Sequence, residues 1–167
     1  MDENTSTKRY GVVSPDAQAA LSGLEFVQGL VSGALPLNSM ARTLGYDVVE
    51  ASPGRVVITA SPGDELLNPA GTVHGGFTAT LLDSCMGLAV WSTVEKGFGS
   101  TTLEFKISFV RGMSEASGVI RTEGRVLNAG RRVATAEARI TDSKGRLLAH
   151  ATTTCLVFGL AKDGTEG

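Results

Sequence analysis

The sequence predicts an α+β fold in which an antiparallel β-sheet curls around one long central helix. Three observations carry this expectation. The segment 77–94 is dense in Leu, Met, Ala and Val, holds no proline and is apolar nearly all round, so something broad must enclose it. Four later segments, 101–111, 117–128, 132–142 and 146–158, carry β-branched residues or alternation and are separated by glycine-bearing turns. Finally, 21 glycines against one Trp, two Tyr and six Phe imply that glycine serves turns and close approaches here.

The elements follow in order. Ser14-Pro15-Asp16 marks a helix start, and Leu21, Leu24, Val27, Leu30 and Val31 recur at helical spacing, predicting a helix over 16–32 within an N-terminal helical segment, 16–36, that ends at Pro36. A short helical turn over 37–43 leads to a strand at 44–51, the Ser52-Pro53-Gly54 turn and a hairpin partner at 55–60. A polar loop, 61–72, then precedes the long helix. Residues 37–159 read as the main domain, with tails at 1–15 and 160–167.

A chain of 167 residues and 17.3 kDa supports one core. The net charge of −2 argues against nucleic acid as a partner, because that affinity comes from neutralised phosphates. The average conceals a split. Residues 1–103 hold five Lys/Arg against ten Asp/Glu, whereas 104–150 hold nine against five, a local excess suited to a small polyanionic ligand. No apolar run is long enough to span a membrane, no secretory signal is visible, and Cys85 and Cys155 match no metal or redox spacing, so the chain reads as cytoplasmic with inert thiols.

The chemistry concentrates in 68–83. Asp83 falls about two turns into an apolar helix, where an unpaired charge is costly, so it either serves chemistry or makes a structural contact. Gly75-Gly76 opens that helix, where free N–H groups and the positive dipole end can receive a carbonyl oxygen. His74 either orients the turn or assists catalysis, and Asn68 either holds a water or shapes the loop.

His74-Gly75-Gly76 followed seven residues later by Asp83 resembles the signature of hotdog-fold acyl-CoA thioesterases of the phenylacetate-degradation (PaaI) type, over about residues 37–158. The leading helix and Leu44-Gly45-Tyr46 also resemble the fuller bacterial version. The resemblance implies that Asp83 is the catalytic carboxylate, as nucleophile or as general base, and that the Gly75 N–H polarises the thioester carbonyl. Asn68 and His74 match supporting positions, and Thr102 matches a strand Ser/Thr that faces the carboxylate across a dimer. Arg111, Gly130, Arg131 and Arg132 match regions that contact coenzyme A. Gly112 stands where the family usually has proline after the position of Arg111. The resemblance further implies homodimers or dimers of dimers with active sites at the subunit interface, an acyl-CoA substrate, and no cofactor or metal. Phe77, Met86, Val90, Trp91 and Phe105 are candidate pocket-lining residues that read equally well as core. The alternative functions are a non-catalytic acyl-CoA-binding hotdog protein and a hotdog enoyl-CoA hydratase or dehydratase; the second histidine, His150, lies in a late strand.

Overall fold

The computed structural model describes residues 8–160. One six-stranded antiparallel sheet, ordered β1-β2-β4-β5-β6-β3, curls around a single long helix. The strands are β1 (Tyr46–Ser52), β2 (Arg55–Ala60), β3 (Phe98–Phe109), β4 (Ile120–Ala129), β5 (Val133–Thr141) and β6 (Leu147–Gly159). The helices are α1 (Pro15–Ala19), α2 (Gly23–Ser32), α3 (Ser39–Leu44) and the central α4 (Gly75–Trp91). This is the hotdog arrangement, and among the described residues no helix is long and apolar enough to cross a membrane.

α4 buries Phe77, Leu81, Leu82, Cys85, Met86, Ala89 and Val90 against the concave sheet. A helix can lie this close only because the strands beneath it are small. Gly124 pairs with Ala138, and Ala138 with Ala151, so three strands present a row with almost no side chain. A Cβ on Gly124 would sit 2.7 Å from the Cys85 carbonyl oxygen and 3.1 Å from its sulfur. The Cys85 thiol donates instead to the Val56 and Thr122 carbonyls at 3.3 and 3.4 Å, and burial pushes it up to about 12. α4 begins two residues earlier than the sequence pattern suggests and stops at Trp91. There the Ser92 hydroxyl donates to Ala89 O (2.7 Å) and the Thr93 hydroxyl to Val90 O (2.7 Å), side-chain bonds that compete with the helical ladder.

The N-terminal region departs from expectation in two ways. The helix expected over 16–32 is two helices, because Ser22 and Glu25 form a reciprocal capping box that starts α2 afresh. Residues 8–14, expected within a tail, are laid down along the fold: Gly11 N donates to Leu37 O (2.8 Å), Leu37 N to Arg9 O (2.9 Å), and Val13 is buried. Residues 1–7 and 161–167 of the two expected tails lie outside the described residues.

Much of the local basic excess is absorbed by the fold. Glu123 on β4 is ringed by Arg55 (3.1 Å), Arg121 (2.6 Å) and Arg125 (2.5 Å), and Glu50 joins through Arg55 (2.8 Å) and Arg121 (3.0 Å). The hydrogen bond from Arg55 leads these partners in holding the Glu123 carboxyl down at about 2.

Two predictions follow from this packing. Gly124→Ala forces a methyl group onto the Cys85 carbonyl and lowers stability by about 2 kcal/mol, read as a reduced urea midpoint at unchanged slope. Because the Glu123 pKa is lower folded than free, its stabilisation is complete above the ordinary value of 4.5 and is lost as pH falls toward about 2. Glu123→Gln therefore flattens the acid limb of the stability–pH curve, while an unchanged limb would show that the arginines contribute nothing.

Candidate active site

On α4 one stripe is left half-buried, Ala79, Thr80, Asp83, Ser84, Gly87, Leu88 and Trp91, at the i, i+4 spacing of a single face. Asp83 sits in the middle of it. Thr102 reaches Asp83 from β3, its hydroxyl donating to Asp83 Oδ1 at 2.8 Å. The pairing of β3 with β6 slips by one residue just after Thr102, a bulge of the kind that re-aims a neighbouring side chain. Both residues belong to the same chain, which corrects the expectation that Thr102 faces the carboxylate from across a dimer. Asp83 Oδ2 has no protein donor among the described residues, and Asp83 lines a cavity of about 390 Å³.

At the start of α4 the residues have distinct tasks. His74 is the N-cap, and its Nδ1 accepts from Gly76 N at 2.8 Å, so this side chain orients the turn. Gly76 is thereby satisfied, and among the described residues the Gly75 N–H is left as an unpaired donor at the positive end of the helix. A Cβ on Gly75 would lie 3.2 Å from the Phe109 ring. Asn68 shapes the preceding loop: its Oδ1 accepts from Ala70 N (2.9 Å) and Thr72 N (3.3 Å), and its Nδ2 donates to Thr72 Oγ1 (2.8 Å).

The coenzyme-contact candidates fall in two places. Arg111 shares a cavity of about 330 Å³ with Gly75, Phe109 and Gly112, and its guanidinium donates to Leu147 O at 2.9 Å. Gly130 and Arg131 border a separate cavity of about 390 Å³ with Phe98 and Val157. Arg131 and Arg132 are exposed and form no ion pair among the described residues. Gly112 has nothing within 4 Å of an added Cβ, so the position where proline was expected is open.

One chain therefore brings Asp83 to Thr102, and Gly75 to Arg111, but keeps the two pairs apart. Eight residues of helix separate Gly75 from Asp83, a rise of about 12 Å, whereas one reacting carbonyl needs both groups within about 3 Å. β3 is one of the two edge strands of the sheet, the other being β1, and it exposes Leu103, Phe105 and Phe109.

Among the lining candidates, Met86 and Val90 are fully buried and Phe77 nearly so, whereas Trp91 borders the cavity beside Asp83 and Phe105 lies partly exposed on β3. Sequence reasoning missed the other wall of that cavity. Phe26 and Leu30 of α2 form it together with Asn38 and Tyr46, where the Tyr46 hydroxyl donates to Asn38 Oδ1 at 3.2 Å and lies 3.4 Å from Ser84 Oγ. The only signal was the apolar face of α2, which reads as ordinary core. Among the described residues no cluster of metal-ligating side chains occurs.

The profile of the thioesterase superfamily matches residues 70–149. Acyl-coenzyme A thioesterase 13 of Homo sapiens is 31% identical over 110 residues, covering 65% of this chain and 77% of that protein. A phenylacetic acid degradation-related protein from Ralstonia eutropha JMP134 is 29% identical with a TM-score of 0.71, over 78% of this chain and 98% of that one. The protein smu.793 of Streptococcus mutans UA159, solved bound to acetyl CoA, is 31% identical with a TM-score of 0.63, over 70% and 91%. With the central helix, the sheet order and these matches in agreement, the chain belongs to the thioesterase superfamily, as a hotdog-fold thioester hydrolase.

Proposed function

We propose that this protein hydrolyses acyl-CoA thioesters to the free acid and coenzyme A, with Asp83 as the reacting carboxylate. The observation that carries this reading is the hydrogen bond from Thr102 to Asp83 Oδ1, which fixes the carboxylate of a residue that lines a cavity. In the general-base route, Asp83 takes a proton from water as the water oxygen bonds to the thioester carbon. The carbonyl oxygen gains charge opposite a backbone N–H, and the C–S bond then breaks to release the thiolate, which takes up a proton. In the nucleophilic route Oδ2 attacks the same carbon, expels the thiolate, and the resulting anhydride is opened by water. Both need an unpaired N–H donor, and His74 leaves Gly75 as that donor by occupying Gly76.

The site is completed by two copies of the chain, the Asp83–Thr102 pair of one meeting the Gly75 helix start of the other. The separation along α4 and the apolar free edge of β3 support this arrangement, as a dimer or a pair of dimers. Arg111, with Gly130, Arg131 and Arg132, serves the phosphates of coenzyme A; the bound acetyl CoA of the S. mutans relative is in keeping with that role. Two buried, unpaired cysteines suit the reducing cytoplasm.

Asp83→Asn is expected to reduce kcat by about 10²–10⁴-fold in a thiol-release assay while the melting temperature holds. Near-normal turnover would remove the assignment. Neutralising Arg131 and Arg132 together should raise KM for CoA esters more than it lowers kcat, since remote phosphate contacts supply mainly binding. Mixing inactive Asp83→Asn and Gly75→Val subunits, with exchange between dimers, should regenerate activity, because one site of each mixed dimer is intact; no recovery in verified mixed dimers would place the whole site in one chain.

A further inference from the structure

The cavity beside Asp83 is walled largely by residues that precede the matched family region. Phe26 and Trp91 stack at its base with centroids 5.1 Å apart and planes inclined by 26°, and Leu30, Leu37 and Val48 continue the apolar surface. The covering segment is built in, not loosely draped. Gly11 and Leu37 are joined by a backbone hydrogen bond, Gly23 N donates to Val94 O at 3.0 Å beyond the end of α4, and Val27, Leu30 and Leu37 are buried. The polar lining comprises Gln18, Asp83 with Thr102 and its neighbours on β3, and a group in which the Tyr46 hydroxyl bonds both Asn38 and Ser84.

From this geometry we infer that the N-terminal segment 11–38 is the acyl-length gauge of the enzyme: the cavity holds a compact apolar acyl group, and Phe26 and Leu30 set its size limit. The inference rests on the thioesterase reading for the identity of the group, since the carbonyl must lie at Asp83 and the cavity that Asp83 lines extends to apolar residues of α2. The volume sets the class. At about 30 Å³ per water-sized group, a cavity of about 390 Å³ accepts an acyl group on the order of ten non-hydrogen atoms once packing is allowed for, so octanoyl and phenylacetyl fit and palmitoyl does not.

The test compares the full chain with Leu30→Phe, which shortens the cavity, and Phe26→Ala, which deepens it, on acetyl-, octanoyl-, phenylacetyl- and palmitoyl-CoA. The parent should favour octanoyl or phenylacetyl over both extremes. Leu30→Phe should lose about tenfold in kcat/KM on those two esters with acetyl-CoA little changed, as a pocket that discriminates by size does. Phe26→Ala should shift preference toward longer chains. Val13→Phe, on the facing wall, substitutes for Leu30→Phe if that variant fails to fold.

A second readout is independent of turnover. Trp91 is the single tryptophan and borders the cavity, so titration with free octanoate should change its emission, and Leu30→Phe should weaken that response about tenfold. If esters are hydrolysed with the same chain-length profile in all folded variants, the gauge is overturned and the thioesterase reading stands. If no ester is hydrolysed but octanoate binds and responds to Leu30→Phe, the pocket stands and the thioesterase reading falls. Absence of any Trp91 response together with an unaltered ester profile overturns the inference outright.

Discussion

The structure depends on one close contact, that of the α4 backbone at Cys85 with the β4 backbone at Gly124. A helix that is apolar on nearly every side is stable only if enclosed, and a sheet of six strands encloses it only by curling until its middle strands almost touch. Gly124, Ala138 and Ala151 provide that clearance across three neighbouring strands. The scarcity of aromatic residues has the same cause: a sheet face of alanine and glycine brings the layers together, and larger side chains would hold them apart. Cys85 fits the contact because a thiol is a small apolar group whose weak hydrogen bonds can reach two strand carbonyls.

Full burial on the sheet side dictates where chemistry can occur. The sheet takes up most of the circumference of α4, so the only positions able to carry a charge are on the stripe it does not cover, and Asp83 lies there with Ser84 and Gly87. One edge of that stripe is approached by β3, which supplies Thr102, and the other by α2 and β1, which supply apolar side chains to the wall. The helix start lies about 12 Å further along. A long buried helix can therefore offer a carboxylate at its middle and a free N–H at its start, but cannot bring them to the same atom. In the proposed dimer an antiparallel pair of such helices, one from each copy, brings them together, and the apolar edge at β3 is the surface proposed to join the copies.

The features legible in the sequence were those with a local or periodic cause. The absence of proline and the uniform apolar character of 77–94 gave α4 to within a few residues, and glycine-bearing turns gave four of the strands. A carboxylate inside an apolar helix was conspicuous without knowing its neighbours. The break between α1 and α2 was also written locally, in Ser22 and Glu25, but the continuous run of apolar positions outweighed it. What the sequence could not show was anything that depends on which residues meet. The arginines of 104–150 looked free, yet Arg121 and Arg125 are tied up by Glu123, an acid in the same strand whose other partner, Arg55, lies on β2. Thr102 was placed opposite the wrong chain because strand order, not spacing, decides that contact. The cavity lies between Phe26 and Leu30 of α2, Tyr46 of β1, and Asp83 and Trp91 of α4, and no single periodic pattern shows that these residues meet.

The division between these two kinds of feature has a functional counterpart. The groups proposed to react or polarise are a backbone position and short side chains on α4 and β3, held by the packing that makes the fold, so altering their surroundings endangers the core. The wall opposite Asp83 comes from α2 and the strand-like segment before it, joined to the rest by the 9–11 contact with Leu37, the Gly23 contact beyond α4 and the Phe26–Trp91 stack. That attachment meets the sheet at β1, away from the row of small residues on β4, β5 and β6. Side chains on α2 can change the space offered to a substrate without moving the row Gly124, Ala138 and Ala151 or the Asp83–Thr102 bond, so selectivity can vary on one element while the reacting geometry is conserved on others.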